Sequence, residues 1–385
     1  MELSTEYLVN TVELTPIMDY IDENPEYWDD YNNLQHVKHE LLRRYLGGWF
    51  PILGRWSGRI IYIDCNAGRG KHTTGQSGSP ILALEAFLNH PARDRILKNC
   101  EVRFFFIEAN KENKEALEKN LSGYKLPSKV FVSAEHSRFE TSLQSSIDHL
   151  HEKKARLAPA FVFVDPYGFK LPGKLLAQLK EFPKCELFIT FMWRWIDMAL
   201  HHPAQEGNMD ALFIAPTWRK LRDISDPSER CEAAIRLLGE QIGANYLTRV
   251  KMLGENEEVK YVLIHSTGHP KGRELMLWAV RKICPTGGFK ARMNDNPNQE
   301  YLIKPEPNLE PLENWLWEKY KDRAVTTDQI YKDMQNPSSG VPFLEADMHN
   351  VIKKLSRDGK IDGPEKLVFK ANPAIRFISK KRVSK

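Results

Sequence analysis

The chain has 385 residues, with 42% hydrophobic and 28% charged side chains and a formal net charge of +4. That length predicts two domains with ample core, and the mildly basic balance permits a nucleic-acid partner without requiring one. No stretch of ~18 apolar residues marks a membrane span, and the N-terminus lacks the basic-then-apolar pattern of a secretory signal; the five scattered cysteines, with no C-x-x-C pair, predict reduced thiols in a cytoplasmic protein without structural zinc.

Apolar residues at helical spacing (Leu34, Val37, Leu41, Leu42, Tyr45, Leu46) predict a helix over about 34–48. A strand follows at Gly58 to Ile63, and further apolar runs recur at Val102–Ile107, Lys129–Ser133, Phe161–Val164 and Leu187–Phe191. Amphipathic stretches lie between them at Pro80–Leu88, Asn110–Leu121, Phe139–Leu150 and Leu171–Leu179. This alternation predicts an α/β domain with a mostly parallel sheet covered on both faces. After a segment over 194–226 that reads as a lid or insertion, a helix at Pro227–Ile242 leads to a hairpin of Tyr246–Leu253 and Val259–Ser266. Five parallel strands closed by a hairpin predict a Rossmann-like sheet of the class I methyltransferase type, seven-stranded with its last strand antiparallel. Another helix is predicted at Glu274–Ile283. This first domain is assigned to residues 1–303.

A proline-rich stretch from Lys304 to Pro311 reads as a stiff linker. Beyond it, over 312–385, three helices are predicted: Leu312–Tyr320, one opening at Thr326-Thr327-Asp328, and Phe343–Asp358. A ribbon with Val368 and Arg376-Phe377-Ile378, then a basic tail from Lys380, complete a winged-helix pattern. Lys353, Lys354 and Arg357 fall on one face of the third helix, where phosphates could be contacted. Neighbouring acids leave a protein-docking module open.

Three stretches carry candidate chemistry. In Asp64-Cys65-Asn66-Ala67-Gly68-Arg69-Gly70 a buried strand ends in an acid and breaks into a glycine loop, which lets backbone approach a ligand at a helix start. The spacing is A-G-x-G rather than the dinucleotide G-x-G-x-x-G. A second acid, Glu108, ends the next strand, where nucleotide folds bind ribose hydroxyls. Together they predict S-adenosylmethionine, with Asp64 meeting its ammonium; the plainer alternative is a tight turn and a capping acid. Ser79, before Pro80, reads either as a helix cap or as a cofactor contact. Asp165-Pro166-Tyr167-Gly168 at the end of the fourth strand could hold an exocyclic base amine, Asp165 and the Pro166 carbonyl accepting its hydrogens and Tyr167 or Phe169 stacking on the base. A strand-end turn is the alternative. His265 to His269 reads as a strand end and loop, and His201-His202 as a solvated loop. No metal site is predicted.

The set Lys38-His39-Glu40-x-Leu42-Arg43-Arg44-Tyr45-Leu46, Asp64-x-x-Ala67-Gly68-x-Gly70, Gly78-Ser79-Pro80 and Asp165-Pro166-Tyr167-Gly168 resembles the three-Cys-motif partner protein (TcmP) family, most strongly over 34–195. Its first three elements are similar to RlmJ-type rRNA adenine-N6 methyltransferases, and D-P-Y-G to the D-P-F-G of tRNA guanine-N2 dimethyltransferases. The resemblance implies site or cofactor contacts by Lys38, His39, Asp64, Ala67, Gly68, Gly70 and Ser79; Asn66 in the loop, not the relatives' usual filler, and Glu108 are added as expected cofactor contacts. It implies a catalytic role for Asp165, Pro166 and Tyr167, and a radical-SAM-like partner bearing three cysteines. The second proline of the relatives' D-P-P-Y is missing here. The expected activity is methylation of a base amine in DNA or RNA; the alternative is a non-catalytic adaptor that keeps the fold and recruits nucleic acid or the partner through the winged helix.

Overall fold

The computed structural model describes residues 32–285, 290–292 and 305–378. Its centre is an eight-stranded sheet: β1 (Arg59–Asp64), β2 (Glu101–Glu108), β3 (Val130–His136), β4 (Ala160–Val164), β5 (Cys185–Phe191), β6 (Tyr246–Leu253), β7 (Val259–Thr267) and β8 (Lys290–Arg292). The spatial order is β3-β2-β1-β4-β5-β7-β6-β8. β7 runs antiparallel to both β5 and β6, while β1 pairs parallel with β2 and β4. The seven strands expected from sequence are therefore joined by an eighth. β8 adds in parallel to β6 through Lys251–Leu253. Its Lys-Ala-Arg sequence carries no strand pattern, so only the open edge of β6 accounts for it.

Among the described residues, ten α-helices flank this sheet: α1 (Asn33–Gly54), α2 (Ser79–Leu88), α3 (Arg93–Leu97), α4 (Lys111–Leu121), α5 (Phe139–Glu152), α6 (Gly173–Lys180), α7 (Trp193–Leu200), α8 (Glu206–Leu212), α9 (Pro227–Gln241) and α10 (Pro270–Ile283). Side chains alternate along each strand, so β1 sends Ile60 and Tyr62 into one core and Ile61 and Ile63 into the other. The first core is closed by α1, α2 and α10, and the second by α5 to α9. Burial on both faces explains why β4 and β5 read as continuous apolar runs rather than alternating ones. α1 continues to Gly54, well past its expected end, because Trp49 and Phe50 are buried in the first core. None of the described helices is long and apolar enough to cross a membrane.

The segment expected as an inserted helical lid after β5 is helical. Trp193 and Trp218 are core residues, and Trp218 is flanked by the Arg219 and Arg222 guanidinium groups. His201 and His202 are exposed between helices. His265 lies near the end of β7 as expected and is buried there, with its Nε2 3.0 Å from Glu186 Oε2, and Tyr45 donates its hydroxyl to the same oxygen. Buried polar groups need such partners, which suits this cluster to a structural role.

The C-terminal unit contains α11 (Glu310–Tyr320), β9 (Ala324–Thr326), α12 (Thr327–Gln335), α13 (Glu345–Arg357), β10 (Ile361–Asp362) and β11 (Ala374–Phe377). Its three strands pair antiparallel in the order β10-β11-β9. Leu312, Leu316, Ile330, Ile352 and Phe377 form its core. Val368, expected in the ribbon, lies outside the strands and is exposed, because β9 rather than the segment before β11 completes this sheet. The unit is fastened to α10: buried Arg273 donates to the Met334 and Val341 carbonyls at 3.1 and 2.6 Å, and Arg281 forms a two-pronged pair with Asp347 at 3.1 and 2.6 Å. Lys304 and the basic tail from Lys380 lie outside the described residues.

Candidate active site

The carboxyl ends of β1, β2, β4 and β5 converge on a cavity of about 410 Å³. Its size lies within the ordinary range for a small-molecule site. Position at the strand ends, where the sheet order reverses about β1 and β4, is where open α/β sheets bind ligands.

After β1 the backbone turns through Gly68 and Gly70, with φ of +61° and +82°. A Cβ at Gly70 would come within 2.8 Å of Leu117 Cδ1 and 3.2 Å of Ile81 Cγ1, so this position excludes a side chain for both conformation and space. The Gly78 N–H closes the loop onto the Gly70 carbonyl at 2.8 Å. Gly78 then caps α2 by backbone geometry, with Ser79 and Pro80 in the first turn. Ser79 is thus not the cap; its hydroxyl is directed to Asp64.

Asp64 is fully buried and does not line the cavity. It accepts hydrogen bonds from the Tyr62 hydroxyl at 3.1 Å and the Asn66 N–H at 3.4 Å, as well as from Ser79. Burial raises its pKa to about 7, against the opposing effect of the Ser79 hydrogen bond and with the nearby Asp165 charge pushing the same way. Gly70 is also outside the lining. Both residues shape the loop from beneath.

Glu108 stands at the wall. Its Oε2 accepts the Gly68 N–H at 2.6 Å and its Oε1 accepts the Asn110 N–H at 2.8 Å. This acid fixes the glycine loop against the end of β2, helped by the Ala67 N–H bonding the Ile107 carbonyl at 3.0 Å. Asn66, Ala67, Gly68 and Ser79 line the same space.

α1 supplies the far wall with Lys38 and His39, both buried though polar. Lys38 Nζ donates to Asp165 Oδ2 at 2.5 Å, joining residues 127 positions apart, with side chains 5% and 14% exposed. His39 faces His72 with ring centroids 6.4 Å apart. Burial pushes the His39 pKa well down, reinforced by Lys38, His72 and His36, so its imidazole is neutral at pH 7.

At the β4 end, Asp165, Pro166 and Tyr167 line the cavity as a group. Gly168, at φ +84°, turns the chain so closely under Trp195 that a Cβ would lie 3.2 Å from the indole. Tyr167 meets Trp195 edge to face at 5.8 Å. Trp195, just after the fifth strand, also lines the cavity, as do residues that the motifs did not reveal: His72, Arg138, Thr190, Lys260 and Tyr261. His72 lies two positions beyond the glycine loop, which was a usable signal. Lys260 and Tyr261 arrive from β7, a strand distant in sequence, and had none.

Lys353, Lys354 and Arg357 are exposed on α13 and are not brought to the cavity. Lys354 is paired with Glu313 at 2.8 Å, and Lys353 lies 5.7 Å from the Phe369 ring centre. Among the described residues, no group of three or more His, Cys, Asp or Glu side chains could hold a metal ion.

No protein-family model matches this chain, and no curated protein matches it. Solved structures similar to it include a Legionella pneumophila protein at 14% identity, covering 65% of this chain and 92% of that one, with a TM-score of 0.37. An O-methyltransferase from Bacillus cereus, solved in complex with SAH, is 12% identical over 62% of this chain and 82% of its own, with a TM-score of 0.30. A type I restriction-modification methyltransferase subunit from Streptococcus thermophilus is 13% identical over 60% of this chain and 43% of its own, also at 0.30. Likeness at this level carries no argument about activity, cofactor or partner.

Proposed function

We propose that this protein is an S-adenosylmethionine-dependent methyltransferase acting on an exocyclic amine of a nucleic-acid base. The observation that carries the reading is the union, in one cavity, of the glycine loop and Glu108 with Asp165-Pro166-Tyr167. The residues fit such a cofactor. Asn66 Oδ1 is buried at the loop without a hydrogen-bond partner among the described residues, a polar atom awaiting one. Glu108 lines the cavity at the end of β2 and its carboxylate is an acceptor, which suits it to ribose hydroxyls. Asn66, Ala67, Gly68 and Ser79 would hold the remainder, with Lys38, His39 and His72 closing the other side.

When bound, the cofactor supplies an electrophilic methyl on a cationic sulfonium. The protein's task is placement and electrostatics. Asp165 and the Pro166 carbonyl accept the amine hydrogens, and Tyr167 offers a ring to the base. Lys38 engages one oxygen of Asp165, Oδ2, and thereby fixes the orientation of the carboxylate. Asp64 acts from below: a cation arriving in the cavity favours its ionised form.

The finer assignment extends to the C-terminal unit, whose three helices and three-stranded sheet fit a winged helix, with Lys353 and Arg357 as phosphate contacts. The resemblance noted from sequence adds a three-cysteine radical-SAM-like protein as partner. A second reading, the non-catalytic adaptor, is favoured by the same Lys38–Asp165 pair, which leaves the carboxylate already engaged by a cation. Titration calorimetry with S-adenosylmethionine, followed by tritiated methyl transfer to total DNA and RNA with nucleoside analysis, separates them. Tritium in a base amine supports the enzyme. Cofactor binding without transfer, also in the presence of the three-cysteine protein, supports the adaptor, and absence of cofactor binding overturns the enzyme.

A further inference from the structure

α7 has two unlike faces. Trp193, Ile196, Ala199 and Leu200 point into the core and are at most 4% exposed. The other face shows Trp195 at 39% and Met198 at 70%, with Arg194 exposed beside them. Large apolar side chains left in water in a cluster need a reason. This cluster adjoins the cavity, because Trp195 lines it together with the exposed Tyr167 from the end of β4. The two rings stand nearly perpendicular, at 89°, and form a corner with two aromatic walls. The corner is rigid on its protein side: Gly168 passes directly under the indole, and α7 is anchored by Trp193 stacked on Phe191 at 6.4 Å. Lys170 and Lys260 line the same cavity as the two rings.

Flat rings above a charged backbone match that chemistry. Aromatic walls supply stacking to any base, and cations supply attraction to phosphates. A base paired in a duplex could not present its face to a wall set at the cavity mouth. Resting on the methyltransferase reading for the cavity itself, we infer that Trp195 is a substrate-positioning residue, and that Trp195 and Tyr167 together receive an unpaired base of a single-stranded nucleic acid.

The test uses the full chain and a fluorescein-labelled 12-nucleotide single-stranded RNA, its DNA counterpart, and the matching duplexes, read by fluorescence anisotropy. The Trp195→Leu variant is expected to bind the single strands about tenfold more weakly, while Trp195→Phe stays within about threefold of wild type, since a ring is retained. Wild type is expected to prefer single strand to duplex. S-adenosylmethionine affinity, measured by calorimetry, is expected to be unchanged in both variants, which also reports that they are folded. Equal binding by wild type and Trp195→Leu, or tighter binding of duplex, overturns the inference. So does absence of nucleic-acid binding by wild type, and retained cofactor binding in that case leaves the cofactor assignment standing. Trp195-dependent binding of single strands by a protein that does not bind S-adenosylmethionine sinks the cofactor assignment while leaving the aromatic corner intact.

Discussion

The two halves of the cavity are built differently. At the ends of β1 and β2 the acids hold the loop: Asp64 accepts from Tyr62, Asn66 and Ser79, and Glu108 accepts the Gly68 and Asn110 N–H groups at the cavity wall. At the ends of β4 and β5 the polar and aromatic groups face outward, with Tyr167 and Trp195 exposed and Asp165 held from another element by Lys38. The first half is a preformed cradle whose precision comes from local hydrogen bonds and glycine conformation. The second is assembled from α1, β4 and α7, with Lys38 and Asp165 paired and Tyr167 and Trp195 exposed. The difference teaches that cofactor and acceptor functions should respond to substitution separately.

The largest effect is expected in the cradle. Gly70→Val adds a Cβ at φ +82° against Leu117 and Ile81, so cofactor affinity should fall about a hundredfold or more, equivalent to ~3 kcal/mol of strain and clash. Calorimetry reads it, and wild-type affinity in this variant would break the idea of a rigid cradle. Next, Asp165→Asn should reduce methyl transfer by about a hundredfold or more, the scale of losing a proton-accepting group, with cofactor affinity within about threefold. Equal losses in both measurements would merge the two halves.

Lys38→Met strands the Asp165 carboxylate in a largely buried place. The cost to unfolding free energy should be about 3 kcal/mol. A double-mutant cycle with Asp165→Asn in denaturant unfolding should return a coupling of about 1–3 kcal/mol, and additivity would mean that the pair does not hold the second half together.

The smallest effect concerns pH. The Asp64 pKa is raised from 3.8 to about 7 in the folded protein, so the native state holds the proton more tightly than the unfolded chain. The stability this gives is full below about pH 4, is lost as pH climbs to about 7, and does not return above it. Asp64→Asn removes that slope, so its unfolding midpoint should gain on wild type between pH 4 and 8. A cationic ligand favours the carboxylate, so wild-type affinity for S-adenosylmethionine should rise as pH passes 7, by up to about tenfold, and stay flat in Asp64→Asn. A slope of the opposite sign would place Asp64 outside the cradle's electrostatics.

Much of this was legible in the sequence because it is local. Strand ends, the glycine loop and the acids at Asp64 and Glu108 lie within short stretches whose chemistry is continuous along the chain. Where the reading stopped short, a partner from elsewhere decided the outcome. Of the two readings of Ser79, the cap falls to Gly78, while Ser79 lines the cavity and gives its hydroxyl to Asp64. His265 sits at the strand end as read, but its contact with Glu186 and Tyr45 came only from packing. Three residues of β8 carried no pattern, and the edge of β6 gave them one.

By itself, then, the sequence determined the alternation of strands and helices, the two strand-end acids and the Asp165-Pro166-Tyr167 turn, because hydrophobic periodicity and turn chemistry act over a few residues. Tertiary structure alone decided that Lys38 reaches Asp165, that Asp64 works from beneath the cavity rather than in its wall, and that Trp195 stands beside Tyr167 while Trp193, two positions earlier, is core. Those outcomes depend on which face of a helix meets the sheet, a choice that the packing of distant segments makes.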